Sequence, residues 1–194
     1  MQILHAFAGS IEQYSKQLED PDLYRPHFCP LCNSRQPLQA HGFYSRTVVD
    51  RGFDGIIRVR RYLCRFCRRT VSLLPEFALP YVRFAITVIA LFLKARLLDG
   101  HTIERAAVAA GLHPMPYQRG QHWIRRFRTQ AAAVAAALVA LARPAMAADF
   151  VSKALNTLET TGWIAAHRFL FSRLRMHILG WPNFLAPDGR CRAL

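Results

Sequence analysis

RVRRYLCRFCRRT, residues 58–70, sets two cysteines with two residues between them among six arginines. A second pair with the same spacing lies upstream in CPLC, residues 29–32. Each C-x2-C pair lets two thiolates reach one metal with little strain. Four thiolates at tetrahedral geometry describe a closed structural zinc site, so Cys29, Cys32, Cys64 and Cys67 are expected to hold one structural Zn²⁺. An iron–sulfur centre is the competing use of four cysteines. A redox dithiol would need a βαβ context, which the flanking sequence does not offer. His41 stands near the centre, but with four thiolates present it is read as a packing residue. Cys191 is read as a free thiol in the tail.

Between the cysteine pairs, HGFYSRTVVD (41–50) and IIRVRRYLC (56–64) alternate like strands, with RGFDG (51–55) as the turn. In the second strand Ile57, Val59 and Arg61 point one way and Arg58, Arg60 and Tyr62 the other. Such a ribbon is too small to build its own core, and a metal compensates for that. Upstream, SIEQYSKQLED (10–20) predicts a short helix with Ser10 as its cap and Gln13 at the capping-box position. PDLYRP then breaks it.

From Pro80 onward the pattern is helical. YVRFAITVIALFLKARLLDG is apolar almost all round, which predicts a buried helix ending at Asp99-Gly100. TIERAAVAAGL is a short helix with a glycine stop. A third helix opens near Pro116, runs into the alanine-rich AAAVAAALVALA, and is expected to break at Pro144. The expected fold class is α+β: a small four-cysteine zinc ribbon built on a β-hairpin, then an all-α helical domain with a helix-turn-helix. The expected divisions are 1–26 (N-terminal helix and linker), 27–79 (zinc ribbon), 80–130 (helix-turn-helix domain) and 131–194 (C-terminal helices and tail).

Hydrophobic residues make up 52% of the chain, enough for a packed core. The charge is lopsided, with 26 Lys and Arg against 12 Asp and Glu and a formal net charge of +14. That excess calls for a polyanion, and nucleic acid is the usual one. The uncharged runs at 84–93 and 129–142 are shorter than the ~18 residues a membrane span needs. The start carries no basic leader. These features predict a cytoplasmic, nucleoid-associated protein with no membrane partner, and cysteines used for metal rather than disulfides. Arg46, Arg51, Arg58, Arg60, Arg61, Arg65, Arg68 and Arg69 face only Asp50 and Asp54 in the same stretch, a one-signed surface suited to phosphate. Phe43, Tyr44, Phe53 and Phe66 interleave with it, mostly as ribbon core.

HTIERAAVAAGLHPMPYQRGQHWIRRFR (101–128) has a helix-turn-helix layout, with Gly111 beginning the turn. Gly120, Trp123 or Ile124, and Phe127 recur at helical spacing and face the core. Gln118, Arg119, Gln121, His122, Arg125 and Arg126 then face outward. Glutamine suits adenine and arginine suits guanine in the major groove, and recognition helices read bases near their N-terminal part. Gln118, Arg119 and His122 are therefore expected on bases, with Arg125, Arg126 and Arg128 on phosphates. Near the other end, His167, Arg168 and Arg173 read as a solvated or DNA-flanking basic face. Trp163, Leu170, Leu174 and Ile178 read as a packing stripe.

CPLC, HGFYSR, RVRRYLCRFCRRTVSLLP and a helix-turn-helix carrying WIRRF together resemble the N-terminal part of bacterial insertion-sequence transposases headed by a zinc ribbon. They also resemble small stand-alone relatives of unassigned function. The resemblance covers about residues 27–129. It implies that the four cysteines are ligands, that Gln118 to Arg128 read DNA, and that the partner is double-stranded DNA. A homodimer or a recombinase partner would fit the same picture. Such transposases continue into a catalytic domain with three metal-binding carboxylates. After Arg128 this chain offers only Asp149, Glu159 and Asp188. No nucleophile or phosphate-loop motif occurs, so the expectation is a DNA-binding protein that is not an enzyme. The alternatives are a zinc module docking on a recombinase or polymerase, a nuclease or transposase fragment, and an RNA binder.

Overall fold

The computed structural model describes residues 1–16, 22–143 and 146–181. Among the described residues the fold is α+β, with one four-stranded sheet and six helices. Cys191, Asp188 and Pro144 lie outside the described residues.

The chain opens with a strand that its sequence does not announce, β1 (Gln2–His5), followed by α1 (Ile11–Lys16). The capping box forms as expected. Ser10 Oγ accepts from the Gln13 amide at 3.1 Å, and Gln13 Oε1 accepts from the Ser10 amide at 2.7 Å. Strands β2 (Gln39–Asp50) and β3 (Phe53–Leu63) form a long antiparallel hairpin. Their turn is only Arg51-Gly52, because Phe53, Asp54 and Gly55 already pair across the hairpin. One extra residue bulges β2 near Gly42, whose φ is 76°. Strand β4 (Thr70–Pro75) runs antiparallel to β3 and parallel to β1, giving the order β1-β4-β3-β2.

The two faces of β3 are buried at different ends. Ile57 and Val59 pack with Val48, Leu74, Phe77 and Ile11 on one face. Tyr62 turns to the other face and is fully buried with Leu38, Leu73, Cys29 and Cys64. The face expected to be basic is thus partly core, because the cysteine loops fold over it.

The helical part packs α2 (Ile86–Leu97), α3 (Ile103–Ala109), α4 (Tyr117–Leu138), α5 (Phe150–Thr161) and α6 (Trp163–Leu174) around one apolar cluster. α4 runs unbroken into the alanine-rich segment but ends at Leu138, short of the expected break at Pro144. Phe92 of α2 and Phe127 of α4 are fully buried. Trp123 is core, meeting Phe84 and Phe92 edge-on with centroids 4.9 and 5.4 Å away. Thr102 caps α3 by accepting from the Arg105 amide at 3.2 Å. Gly120 lets α3 and α4 approach. A Cβ there would lie 2.6 Å from Ile103 Cγ2 and 3.0 Å from Phe92 Cζ.

The reading of His167 as part of a solvated basic face is corrected: it is fully buried, on the packed side of α6 beside Phe171. Burial pushes its imidazole down to about 3, with nearby His177 adding to the shift. His177 is also buried and pushed down to about 4, mainly by desolvation. Its Nδ1 accepts from the Leu179 amide at 3.1 Å, which leaves Nε2 to donate to the Pro80 carbonyl at 3.0 Å. Of the expected stripe, Leu170 of α6 is buried, as is Ile178 beyond the end of the helix at Leu174, whereas Leu174 is 45% exposed.

This packing can be tested at two points. Gly120→Ala gains about 1 kcal/mol of helix propensity but must displace a stiff Ile103, so it should destabilise by about 1–3 kcal/mol in urea titration. The folded state keeps His167 and His177 neutral, while the unfolded chain takes up protons below the ordinary value of 6.5. Stability should therefore be full above pH 6.5 and fall as the pH drops toward 4, less steeply in His167→Met, as read by urea midpoints.

Candidate metal centre and basic helix face

The two cysteine loops are built alike. Cys29 N–H donates to the Ser34 carbonyl at 2.9 Å, and Cys64 N–H donates to the Arg69 carbonyl at 3.0 Å. In each loop the residue after the second cysteine is left-handed, Asn33 with φ 56° and Arg68 with φ 55°. Equivalent turns therefore present the two pairs to one point. All four sulfurs lie within 4.8 Å of one another, and Cys29–Cys67 and Cys32–Cys64 are each 3.8 Å apart. A tetrahedron with metal–sulfur bonds of about 2.3 Å has edges of about 3.8 Å, so the quartet fits a thiolate-bound metal such as zinc. Among the described residues no cysteine forms a disulfide.

The chemistry of the donor set agrees. The amides of Cys67 and Phe66 favour the Cys64 thiolate and hold it down at about 7. The Ser34 amide favours the Cys32 thiolate, yet desolvation and the three neighbouring sulfurs push that thiol up to about 12. Thiolates this close repel one another unless a cation joins them. His41 is exposed and outside the quartet.

The arginines around the centre divide into tied and exposed groups. Arg60 donates from Nε and Nη2 to Asp22 Oδ1 at 3.1 and 2.9 Å and lies over the rings of Phe43 and Tyr62. Tyr62 Oη donates to the same oxygen at 2.7 Å. This bond, and then the Arg60 guanidinium, lower the Asp22 carboxyl below its ordinary value. Arg46 turns toward the helical part and donates to the carbonyls of Leu79 and Val82 at 3.0 and 2.6 Å. Arg61 is half-buried. Arg58, Arg65, Arg68 and Arg69 are exposed, Arg58 over Phe43 and Arg65 bonded to Gln39 Oε1 at 2.9 Å. Asp22 lies 38 residues from Arg60, so no local pattern marks it as that partner.

On α4, Gly120, Trp123, Ile124 and Phe127 are buried, as the spacing predicts. Gln118, Gln121, His122, Arg125 and Arg128 are exposed together on the outer side. Arg119 is half-buried, its guanidinium 4.9 Å from the centre of the Phe84 ring. Arg126 is half-buried and donates to the Gly180 carbonyl. Burial comes first in lowering the His122 imidazole, followed by Arg126 and Arg125.

The two candidate carboxylates among the described residues, Asp149 and Glu159, do not converge. Asp149 caps α5, accepting from the Val151 and Ser152 amides. Glu159 pairs with Lys94 at 2.9 Å and accepts from Trp163 Nε1 at 2.6 Å. They stand at opposite ends of α5, about 15 Å apart at the usual helical rise.

Residues 29–110 match a family described as a domain of unknown function (DUF6431). The matched region begins at Cys29, contains all four cysteines and ends after α3, before α4. No curated protein and no solved structure matches the chain. No helix among the described residues is long and apolar enough to cross a membrane.

Cys64→Ser should abolish stoichiometric metal, measured by elemental analysis of purified protein, and remove the cooperative melting of the cysteine-rich end. Retention of one metal with an unchanged melt would exclude Cys64 as a ligand.

Proposed function

We propose that this protein is a zinc-dependent binder of double-stranded DNA, working as a transposition accessory protein or regulator. In this reading the quartet of Cys29, Cys32, Cys64 and Cys67 is a zinc ribbon that holds one structural Zn²⁺. The α3–turn–α4 segment serves as a helix-turn-helix. Zinc would supply structural cross-linking of the two loops, fixing the positions of Arg65, Arg68 and Arg69.

The observation that carries the reading is the outer side of α4. Gln118, Gln121, His122, Arg125 and Arg128 are exposed together, while the opposite side is anchored by Trp123 and Phe127. A rigid helix presenting amides, an imidazole and guanidiniums suits base edges and phosphates in a major groove. Arg119 can still reach a groove from its seat on Phe84. Arg126, Arg46 and Arg60 serve the fold instead. The exposed arginines beside the metal centre add phosphate contacts without sequence preference. The separated and engaged carboxylates Asp149 and Glu159 give the nuclease reading no support.

The test is selection from a random duplex pool at near-physiological salt with metal-loaded protein. The expected result is one enriched motif, with Gln118→Ala relaxing one position by about 1–3 kcal/mol. Retained capture at low salt with no enrichment would overturn sequence reading and move the protein-docking module to first place.

A further inference from the structure

We propose that the cleft between the end of α2 and the outer side of α4 is a seat for one phosphate oxyanion, filled by a diester of duplex DNA. The identity of that ligand rests on the DNA-binding reading above; the seat itself does not.

The cleft has a volume of about 520 Å³, and three guanidiniums line it: Arg96 from the last turn of α2, and Arg125 and Arg128 from α4. Tyr117, Gln121, Arg125 and Arg128 fall on one stripe of α4 at helical spacing, and Arg96 faces that stripe from across the cleft. Ile103 and Ile124 form its apolar part, which weakens solvent screening and strengthens any charge-assisted bond made there. No carboxylate lines the cleft among the described residues, and the ion pairs of the fold use Asp22, Asp54, Glu76 and Glu159 elsewhere. Asp149 feels Arg128 but is engaged in capping α5.

Arg96 supplies the decisive detail. Its Nε is buried and has no hydrogen-bond partner among the described residues. An arginine in the last turn of a helix is favoured there by the helix dipole alone. That role needs only a solvated guanidinium and does not explain a donor sealed from water. A buried donor without an acceptor is a net cost, and an oxyanion in the cleft relieves it if the Arg96 side chain turns its fork outward on binding. Three cations around one cleft call for an anion, and the planar arginine fork matches phosphate oxygens. The cleft is wider than a lone phosphate, leaving room for the flanking sugars of a strand.

Arg96→Gln keeps the side chain long and helix-compatible, so it is the variant of choice. Two measurements are made: affinity for a random duplex of about 30 base pairs across a salt series, and the melting temperature with and without millimolar inorganic phosphate. The expected result is a slope of log K on log salt smaller by about 0.9 in the variant, the same on every sequence, because one phosphate is no longer neutralised. Phosphate should raise the melting temperature of the wild-type protein and leave that of Arg96→Gln unmoved. If Arg96→Gln does not fold, Arg128→Gln provides the same comparison. An unchanged salt slope together with an unchanged phosphate effect overturns the seat. Loss of the phosphate effect with an unchanged slope overturns the diester assignment and makes free phosphate the ligand. Wild-type protein that binds no duplex overturns the function proposed above, while a phosphate effect abolished in Arg96→Gln still upholds the seat.

Discussion

Two hydrogen bonds at Val49 hold the sheet to the helices. Its amide donates to the Arg83 carbonyl and its carbonyl accepts from the Ala85 amide, each at 2.8 Å. The segment between becomes a short addition to the end of β2, and Phe84 is held in the middle of it. Phe84 then lies against Trp123 and beneath Arg119. Buried backbone groups must find partners, so this pairing is obligatory once Val49 is covered. It sets where α2 begins, and so where the cluster around Phe92 and Phe127 forms. The turn before α4 also leans on the hairpin, since a Cβ on Gly111 would lie 3.1 Å from Arg51 Cγ. The sheet and the helices are thus joined through the hairpin tip, while the cysteine quartet sits at the other end of β3.

The arginine excess has more than one role. A guanidinium that is desolvated and bonded to carbonyls or a carboxylate is a cross-link, as Arg46, Arg60 and Arg126 show. Removing Arg46 would take a donor from the carbonyls of Leu79 and Val82. Arg68 and Arg69 of the cysteine loops, and Arg125 and Arg128 of α4, are exposed instead. Net charge alone cannot separate the two groups, because both count equally toward +14.

What was legible in the sequence was mostly local. The cysteine quartet could be read because each pair is three residues across and thiolate chemistry is specific. The capping box at Ser10 and Gln13, and the buried side of α4, could be read for the same reason. Strand β1 could not, because the four residues QILH gain their strand character only by pairing with β4, 70 positions away. Asp22 was hidden by distance in the same way. Arg46 and His167 are different, since a pattern was available for both. Arg46 alternates with Tyr44 and Val48, and so points with them toward Ile57 and Val59. His167 lies four residues after Trp163 and three before Leu170, inside the packing stripe. In both, residue type suggested solvent while spacing indicated the interior, and spacing was the better guide.

The order β1-β4-β3-β2 leaves β2 as an edge strand. Unpaired edges invite another chain to add itself in register, the first step toward fibrous aggregation. Here the bulge near Gly42 disrupts one end of the edge and the Val49 pairing occupies the other. Only a short middle stretch is left, containing Ser45 and the inward-turned Arg46. The irregularities that fasten the hairpin in place also make it a poor template for a neighbouring strand.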